Sequence, residues 1–355
     1  MRREWGCRIS PTMTPQIHIR RLAVTHGRRS EAALDRADRG EDHHAVRIAT
    51  QTAVALSDID LDLYPGEILV VLGGSGSGKS SLLAAIHGTV AIARGSLAAE
   101  TAYGPVEMRS ATKRHRQRWA DETVAIVPRP IEMAPKAAIA DVVAAALARA
   151  GTPKRDRGPR TVLELANAGL RDWADVRIGD LPPGVRPRIQ LLVASIGPQP
   201  ILLLDDPFDT PDAWRDPALV DALRRMRERT GKTVVLTSRD PAEALRVGDR
   251  IAVLDNGRLA QAGPPRELLL EPATPHVAAY LSELSPVSFL QAEDVMGPIS
   301  PDDVAASFAG LVQVGTPLAR VLPALARGDV VVADRGRLLG RIGTRELQAV
   351  LAPRG

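Results

Sequence analysis

The sequence predicts an α/β fold in which buried strands end in short polar loops. Three observations carry this expectation. The first is the apolar run Ile68-Leu69-Val70-Val71-Leu72, followed by Gly73-Gly74-Ser75-Gly76-Ser77-Gly78-Lys79-Ser80 and then Ser81-Leu82-Leu83-Ala84-Ala85-Ile86. It reads as strand, glycine loop and helix. The second is Pro200-Ile201-Leu202-Leu203-Leu204-Asp205-Asp206-Pro207, a continuous apolar run ending in two carboxylates. A parallel strand covered on both faces has this appearance, and α/β folds place ligands at such strand ends. The third is a further buried run, Thr233 to Thr237, with a helix beginning from Asp240.

In chain order, residues 1–15 read as a loose leader holding Pro11 and Pro15. Ile17 to Val24 alternates like a first edge strand. Residues 27–50 are charged and carry the adjacent pair His43 and His44. With no further ligand at metal-binding spacing, this segment reads as surface. Ala53 to Leu63 is a second alternating strand, and Pro65-Gly66 turns into the strand of the glycine loop. Gly88 to Gly104 gives short strand and turn signals, and Thr123 to Val127 is another apolar run. Ile139 to Ala150 reads as an alanine-rich helix, Gly151 to Pro159 as a polar loop and Val162 to Leu170 as a helix. Gly179 to Ser195 clusters three prolines ahead of an apolar helix. Arg250 to Leu254, Asp255-Asn256-Gly257 and Arg258 to Ala260 make a hairpin.

Composition bounds the function classes. Against 46 basic and 42 acidic residues the net charge is only +4, which argues against nucleic acid as the main partner. Cys7 is the only cysteine, so an intrachain disulfide is excluded and a reducing compartment is expected. No apolar run approaches the ~20 residues of a membrane span, and no long apolar stretch follows the N-terminal arginines as in a signal peptide.

The glycine loop carries the chemistry. Glycines at 73, 74, 76 and 78 let backbone N–H groups turn toward phosphate oxygens, with Ser75, Ser77 and Ser81 beside them. Lys79 reaches β- and γ-phosphates, the Ser80 hydroxyl is a Mg²⁺ ligand, and the helix N-terminus adds partial positive charge. Asp205 is placed to hold the same Mg²⁺, directly or through water.

The order Gly73–Ser80, Leu181–Ile189, Ile201–Pro207 and Asp249–Gly263 resembles an ATP-binding cassette (ABC) ATPase over roughly residues 17–285, with a helical insertion at about 130–195. The segment Asp249 to Arg258 is typical of importers in that family. The insert at 27–50, and Glu271-Pro272-Ala273 to Tyr280 followed by Phe289 to Met296, resemble the glycine betaine/proline uptake ATPases. That subfamily carries a pair of CBS motifs in its tail; residues 286–355 have room for one, from Thr316-Pro317-Leu318 to Leu351, as a small α+β domain.

The resemblance implies ATP and Mg²⁺ as cofactors and a membrane permease and second cassette as partners. It also implies indirect service to a periplasmic or lipid-anchored solute-binding protein, and a place on the cytoplasmic face of the membrane. By alignment His26 falls where an aromatic stacks on adenine, Asp206 where a glutamate orients water, Arg239 where a histidine contacts the γ-phosphate, and Arg129 where a glutamine links metal and water. The signature loop, Leu-Ser-Gly-Gly-x in the family, is Leu181-Pro182-Pro183-Gly184-Val185 here, and proline has no N–H to offer a phosphate. Asp209-Thr210-Pro211-Asp212 replaces the family's Ser-Ala-Leu-Asp. The binding half is therefore whole and the hydrolytic half degraded. The resemblance implies an importer ATPase subunit, with a nucleotide-binding regulatory or structural subunit as the alternative. A soluble P-loop kinase would lack an acceptor site and lid, and would leave the Asp249–Gly263 hairpin without a place.

Overall fold

The computed structural model describes residues 14–127, 133–182, 184–206, 216–299 and 308–351. Arg129, Pro183 and the Asp209–Asp212 stretch lie outside the described residues, as does nearly all of the expected leader. The chain divides into two compact units at Leu259/Ala260.

The first unit holds two sheets. One is antiparallel, with β1 (Ile17–His26) between β2 (Ala53–Leu63) and β4 (Arg94–Thr101), and β5 (Gly104–Glu107) beyond β4. β1 is therefore an interior strand and not the expected edge. Its alternation records one buried face and is silent on whether both backbone edges are paired.

The charged segment 27–50 forms two short helices, α1 (Ser30–Asp38) and α2 (His43–Thr50). Their apolar stripe buries Ala33, Leu34, Ala37 and Val46 against Ala23 and Val54 of the sheet. The charges cluster by design of the fold: the Arg94 guanidinium bonds Glu31 at 2.8 Å, Asp38 at 2.7 Å and also Asp35, three carboxylates spaced along one face of α1. His44 lies in the first turn of α2, where its N–H donates to the N-cap Asp42 at 2.8 Å.

The other sheet has β3 (Ile68–Leu72) at its centre. Parallel neighbours are β9 (Arg250–Asp255) on one side and β8 (Thr233–Ser238), β7 (Ile201–Leu204) and β6 (Val124–Val127) in turn on the other. Every residue of β3, β7 and β8 is buried, as the continuous apolar runs of β3 and β7 require. β9 turns through Asp255–Gly257 into β10 (Arg258–Gly263), along which the chain leaves this unit.

Helices α3 (Lys79–His87), α4 (Lys113–Glu122), α8 (Pro217–Thr230) and α9 (Pro241–Val247) complete that core. Trp119 of α4 is fully buried and donates from Nε1 to the Ile86 carbonyl at 2.9 Å, satisfying the C-terminal end of α3. A helical group, α5 (Ile139–Arg149), α6 (Lys154–Asn167) and α7 (Arg186–Ser195), has its own core around Ile139, Val143, Leu147, Leu165 and Ile189. The polar loop expected over 151–159 is shorter than that: α6 begins at Lys154 and passes through Pro159, which gives no N–H to the Arg155 carbonyl one turn back.

The second unit contains α10 (Pro265–Leu270), α11 (Pro275–Leu281), α12 (Ala292–Val295), β11 (Gly310–Gln313), α13 (Leu318–Leu325), β12 (Val330–Asp334), β13 (Arg337–Ile342) and α14 (Thr344–Leu351). β12 pairs parallel with β11 and antiparallel with β13. The Leu318 N–H donates to the Leu290 carbonyl at 2.8 Å, and the Ala292 N–H donates to the Thr316 carbonyl at 2.9 Å.

Candidate functional site

In-register parallel pairing fixes where the loops meet. Leu72 lies opposite Ser238 in β8, and Leu204 of β7 lies opposite Leu236 in the same strand. The residues that follow β3, β7 and β8 therefore emerge at one end of the sheet. They enclose an open cleft of about 290 Å³ lined by Ser75–Ser81, Asp205, Asp206, Thr237, Ser238 and Arg239.

Two glycines are dictated by this geometry. Gly78 has φ +101, and a Cβ there would stand 2.6 Å from both the Ala55 carbonyl oxygen and Leu56 Cδ2. At Gly73 a Cβ would meet the Leu254 carbonyl oxygen and Ser77 Oγ at 2.5 Å. Gly73 and Gly74 do not line the cleft; they give Lys79 Nζ its carbonyl partners, at 2.7 and 2.6 Å. The ammonium is thus held at the loop, where an arriving phosphate exchanges anionic oxygen for neutral carbonyl. The hairpin turn braces the loop from below: Gly257 N–H donates to the Ser77 carbonyl at 3.2 Å, and Ser57 N–H to the Gly257 carbonyl at 2.8 Å. The sequence shows the hairpin but not this support.

The two predicted metal ligands meet. Ser80 Oγ donates to Asp205 Oδ1 at 3.1 Å. Two hard oxygens side by side suit Mg²⁺, which takes few protein ligands and keeps waters and phosphate oxygens in the rest of its octahedron. No group of three or more His, Cys, Asp or Glu able to hold a metal occurs among the described residues. Two protein oxygens leave the rest of an octahedron to waters and phosphate oxygens, so Ser80 and Asp205 fit a cation that arrives with a phosphate chain.

Asp206 and Arg239 both line the same cleft. Asp206 has φ +49, an uncommon left-handed conformation for a residue with a side chain. Arg239 sits between the end of β8 and the cap of α9, where Asp240 Oδ1 accepts from Ala242 N–H at 2.7 Å. His26, expected as an adenine platform, lies with Nε2 3.2 Å from Ser81 Oγ, at the first turn of α3. Among the described residues Leu181, Pro182, Gly184 and Val185 do not line the cleft; Val185 N–H closes a turn onto the Pro182 carbonyl at 3.1 Å, and α7 begins without a side-chain cap.

Sequence reasoning missed Thr237. It was read only as the last residue of a buried strand, yet its hydroxyl touches both carboxylate residues. Oγ1 donates to Asp205 Oδ1 at 3.1 Å and accepts from the Asp206 N–H at 2.9 Å. The signal was a polar residue directly after the aliphatic stretch Val234-Val235-Leu236.

Comparisons with known proteins agree with this geometry. Residues 56–209 match the family described as ABC transporter. The chain is 26% identical over 284 residues to the glycine betaine/proline betaine transport system ATP-binding protein ProV of Salmonella typhimurium, covering 80% of this chain and 70% of that protein. It is 33% identical over 227 residues to the sn-glycerol-3-phosphate import ATP-binding protein UgpC of Chromohalobacter salexigens, covering 64% of this chain and 59% of that one. Its fold is similar, with a TM-score of 0.52 and 21% identity, to a dimeric ATP-binding cassette in a post-hydrolysis state bound to ADP and Pi; 70% of this chain and 98% of that chain are covered.

Proposed function

We propose that this chain is an ATP-binding subunit of an ABC transporter, that it binds Mg·ATP at the Gly73–Ser80 loop and that it energises uptake of glycine betaine, proline betaine or a related osmolyte. The observation that carries the reading is the Ser80 and Asp205 oxygens 3.1 Å apart at the mouth of a glycine loop that opens an α-helix. Lys79 supplies the charge for the β- and γ-phosphates, and Ser80 and Asp205 hold Mg²⁺, whose chemistry is to neutralise phosphate charge. The similarity to betaine transport ATP-binding proteins supports the substrate class.

Among the described residues no helix is long and apolar enough to cross a membrane. We assign the chain to the cytoplasmic face through a permease, docked near Arg129 and the 130–150 segment, with a second cassette completing the site and the solute-binding protein engaged only through the permease. Residues 1–15 are a leader, 16–285 the cassette, and 286–355 a single CBS-like domain in this reading; the β11–α13–β12–β13–α14 order supports the last assignment.

A second reading is favoured by a specific observation. Pro182 in place of a donor, together with Asp206 and Arg239 in the cleft, describes a nucleotide-binding regulatory or structural subunit with little turnover. Calorimetric Mg·ATP binding and phosphate release, measured side by side on the purified chain, decide between them. Binding with turnover supports the importer motor, binding without turnover the regulatory subunit, and no binding ends both. Loss of labelled glycine betaine uptake at high osmolarity in a deletion strain tests the substrate class; unchanged uptake sinks it.

A further inference from the structure

We infer that Thr237 is a positioning residue for the metal-binding carboxylate. This rests on the Mg·ATP reading above and deepens it. The side chain is buried at 4% exposure, so its hydroxyl satisfies itself within the protein or not at all. A hydroxyl has one proton to donate. Here the proton goes to Asp205 Oδ1 at 3.1 Å, while a lone pair accepts the Asp206 N–H at 2.9 Å. One side chain of β8 therefore fixes the two successive carboxylate residues at the end of β7.

Each bond has a separate consequence. Asp205 Oδ1 receives two donors, Ser80 Oγ and Thr237 Oγ1, both at 3.1 Å. Ser80 is itself a predicted metal ligand, so its geometry adjusts when a cation binds. Thr237 touches no part of the cation's predicted ligand set except Asp205. Its bond is the constant one, and it keeps the carboxylate in a single rotamer before and after the metal arrives. This is how groups behind metal ligands raise affinity: they remove rotational freedom the ligand would otherwise lose on binding. The second bond anchors the Asp206 amide in its left-handed conformation, φ +49, a local strain that persists only where neighbours enforce it. The shorter aspartate is thereby presented to the cleft from a fixed backbone.

The test uses the full-length chain, a fluorescent ATP analogue and titrated Mg²⁺. Thr237→Val removes the hydroxyl at nearly constant shape; Thr237→Ser keeps it. The expected result is that Thr237→Val raises the Mg²⁺ concentration giving half-maximal enhancement of nucleotide affinity by about ten- to hundredfold. Affinity in EDTA stays within twofold of wild type, and Thr237→Ser restores the Mg²⁺ midpoint. In the nucleotide-free protein the Asp206 amide exchanges its proton at least tenfold faster in Thr237→Val, and at the wild-type rate in Thr237→Ser. An unchanged Mg²⁺ midpoint in Thr237→Val overturns the inference. So does a loss of EDTA affinity equal to the loss in Mg²⁺, which marks a merely structural role. If Thr237→Val does not fold, Thr237→Ala against Thr237→Ser gives the same comparison. A wild-type chain that binds no nucleotide in either condition defeats the proposed function itself; a wild-type chain that binds, with Thr237→Val indistinguishable from it, defeats only this inference.

Discussion

Ser80 Oγ donates to Asp205 Oδ1 at 3.1 Å, joining residues 125 positions apart in the chain. Parallel strands create that contact, because β3 and β7 both deliver their C-terminal loops to the same edge with β8 between them. Lys79 stands beside it on the loop carbonyls of Gly73 and Gly74. A charge-assisted contact of this kind contributes roughly 1.5–3 kcal/mol. Lys79→Ala is expected to weaken Mg·ATP binding about tenfold to a hundredfold by isothermal titration. Equal affinities for the two proteins would place the nucleotide elsewhere.

The glycines of the loop are not equivalent. A Cβ at Gly78 meets the Ala55 carbonyl oxygen at 2.6 Å at φ +101, whereas one at Gly74 has no neighbour within 4 Å. A left-handed residue with a side chain costs about 1–2 kcal/mol before any clash. Gly78→Ala is expected to lower the melting temperature by several degrees and Gly74→Ala to leave it within one or two, by scanning calorimetry. A Gly78→Ala protein as stable as wild type would show that the loop relaxes away from β2.

Glu67 gives the chain a pH-dependent stability. It is buried, and burial pushes its carboxyl up to about 7, against the opposing pull of Arg250 and the Tyr64 N–H. Tyr64 N–H donates to Oε1 at 2.8 Å and Arg250 Nη1 lies 3.1 Å from Oε2. Since the folded carboxyl holds its proton where the unfolded one has lost it, the folded state binds more protons between the ordinary glutamate value of 4.5 and about 7. This group's contribution therefore falls as pH rises through that window, by on the order of 3 kcal/mol. Glu67→Gln removes the titration. Denaturant unfolding at pH 4.5 and 8 is expected to show the variant gaining on wild type at the higher pH. A pH-independent difference between the two would contradict this.

Much of the fold was legible because its signals are local. Ile68–Leu72 and Ile201–Leu204 are apolar without interruption, and Thr233–Ser238 has Val234-Val235-Leu236 at its centre, which is what two covered faces demand. The glycine loop announced the cleft, and Asp205 at the end of β7 another part of its lining. What was hidden depended on distant partners. The charges on α1 looked like surface because Arg94, which binds three of them, lies far along the chain at the start of β4. β1 looked like an edge because β4, which pairs with it, is over sixty residues away. Pro159 read as a loop residue although it lies within α6. Thr237 looked aliphatic by context, and only the pairing of β8 with β7 brings its hydroxyl to Asp205 and Asp206.

Homodimers of this chain are expected to hydrolyse ATP slowly or not at all. Pro182 and Pro183 stand where the family's signature loop offers a serine hydroxyl and N–H donors to the γ-phosphate of the facing subunit, and no backbone shift restores an N–H to proline. Asp206 occupies the cleft with a carboxylate one methylene shorter than glutamate, and a misplacement of that size costs orders of magnitude in rate. Arg239 lines the cleft in place of an imidazole and offers donors only, so it stabilises charge without accepting a proton. Arg129 replaces an amide that both donates and accepts. Arginine is able to stabilise transition-state charge, so Arg239 and Arg129 offset part of the loss; the prolines offset none. These groups act as a unit, so their restoration is expected to be strongly non-additive. Steady-state phosphate release is to be measured for the unmodified chain and for Pro182→Ser, Pro183→Gly and Asp206→Glu combined. The triple variant is expected to exceed the parent by at least tenfold, with each single change giving much less. Parent turnover within a few-fold of an intact importer cassette would show that the two arginines and the proline loop already suffice for hydrolysis.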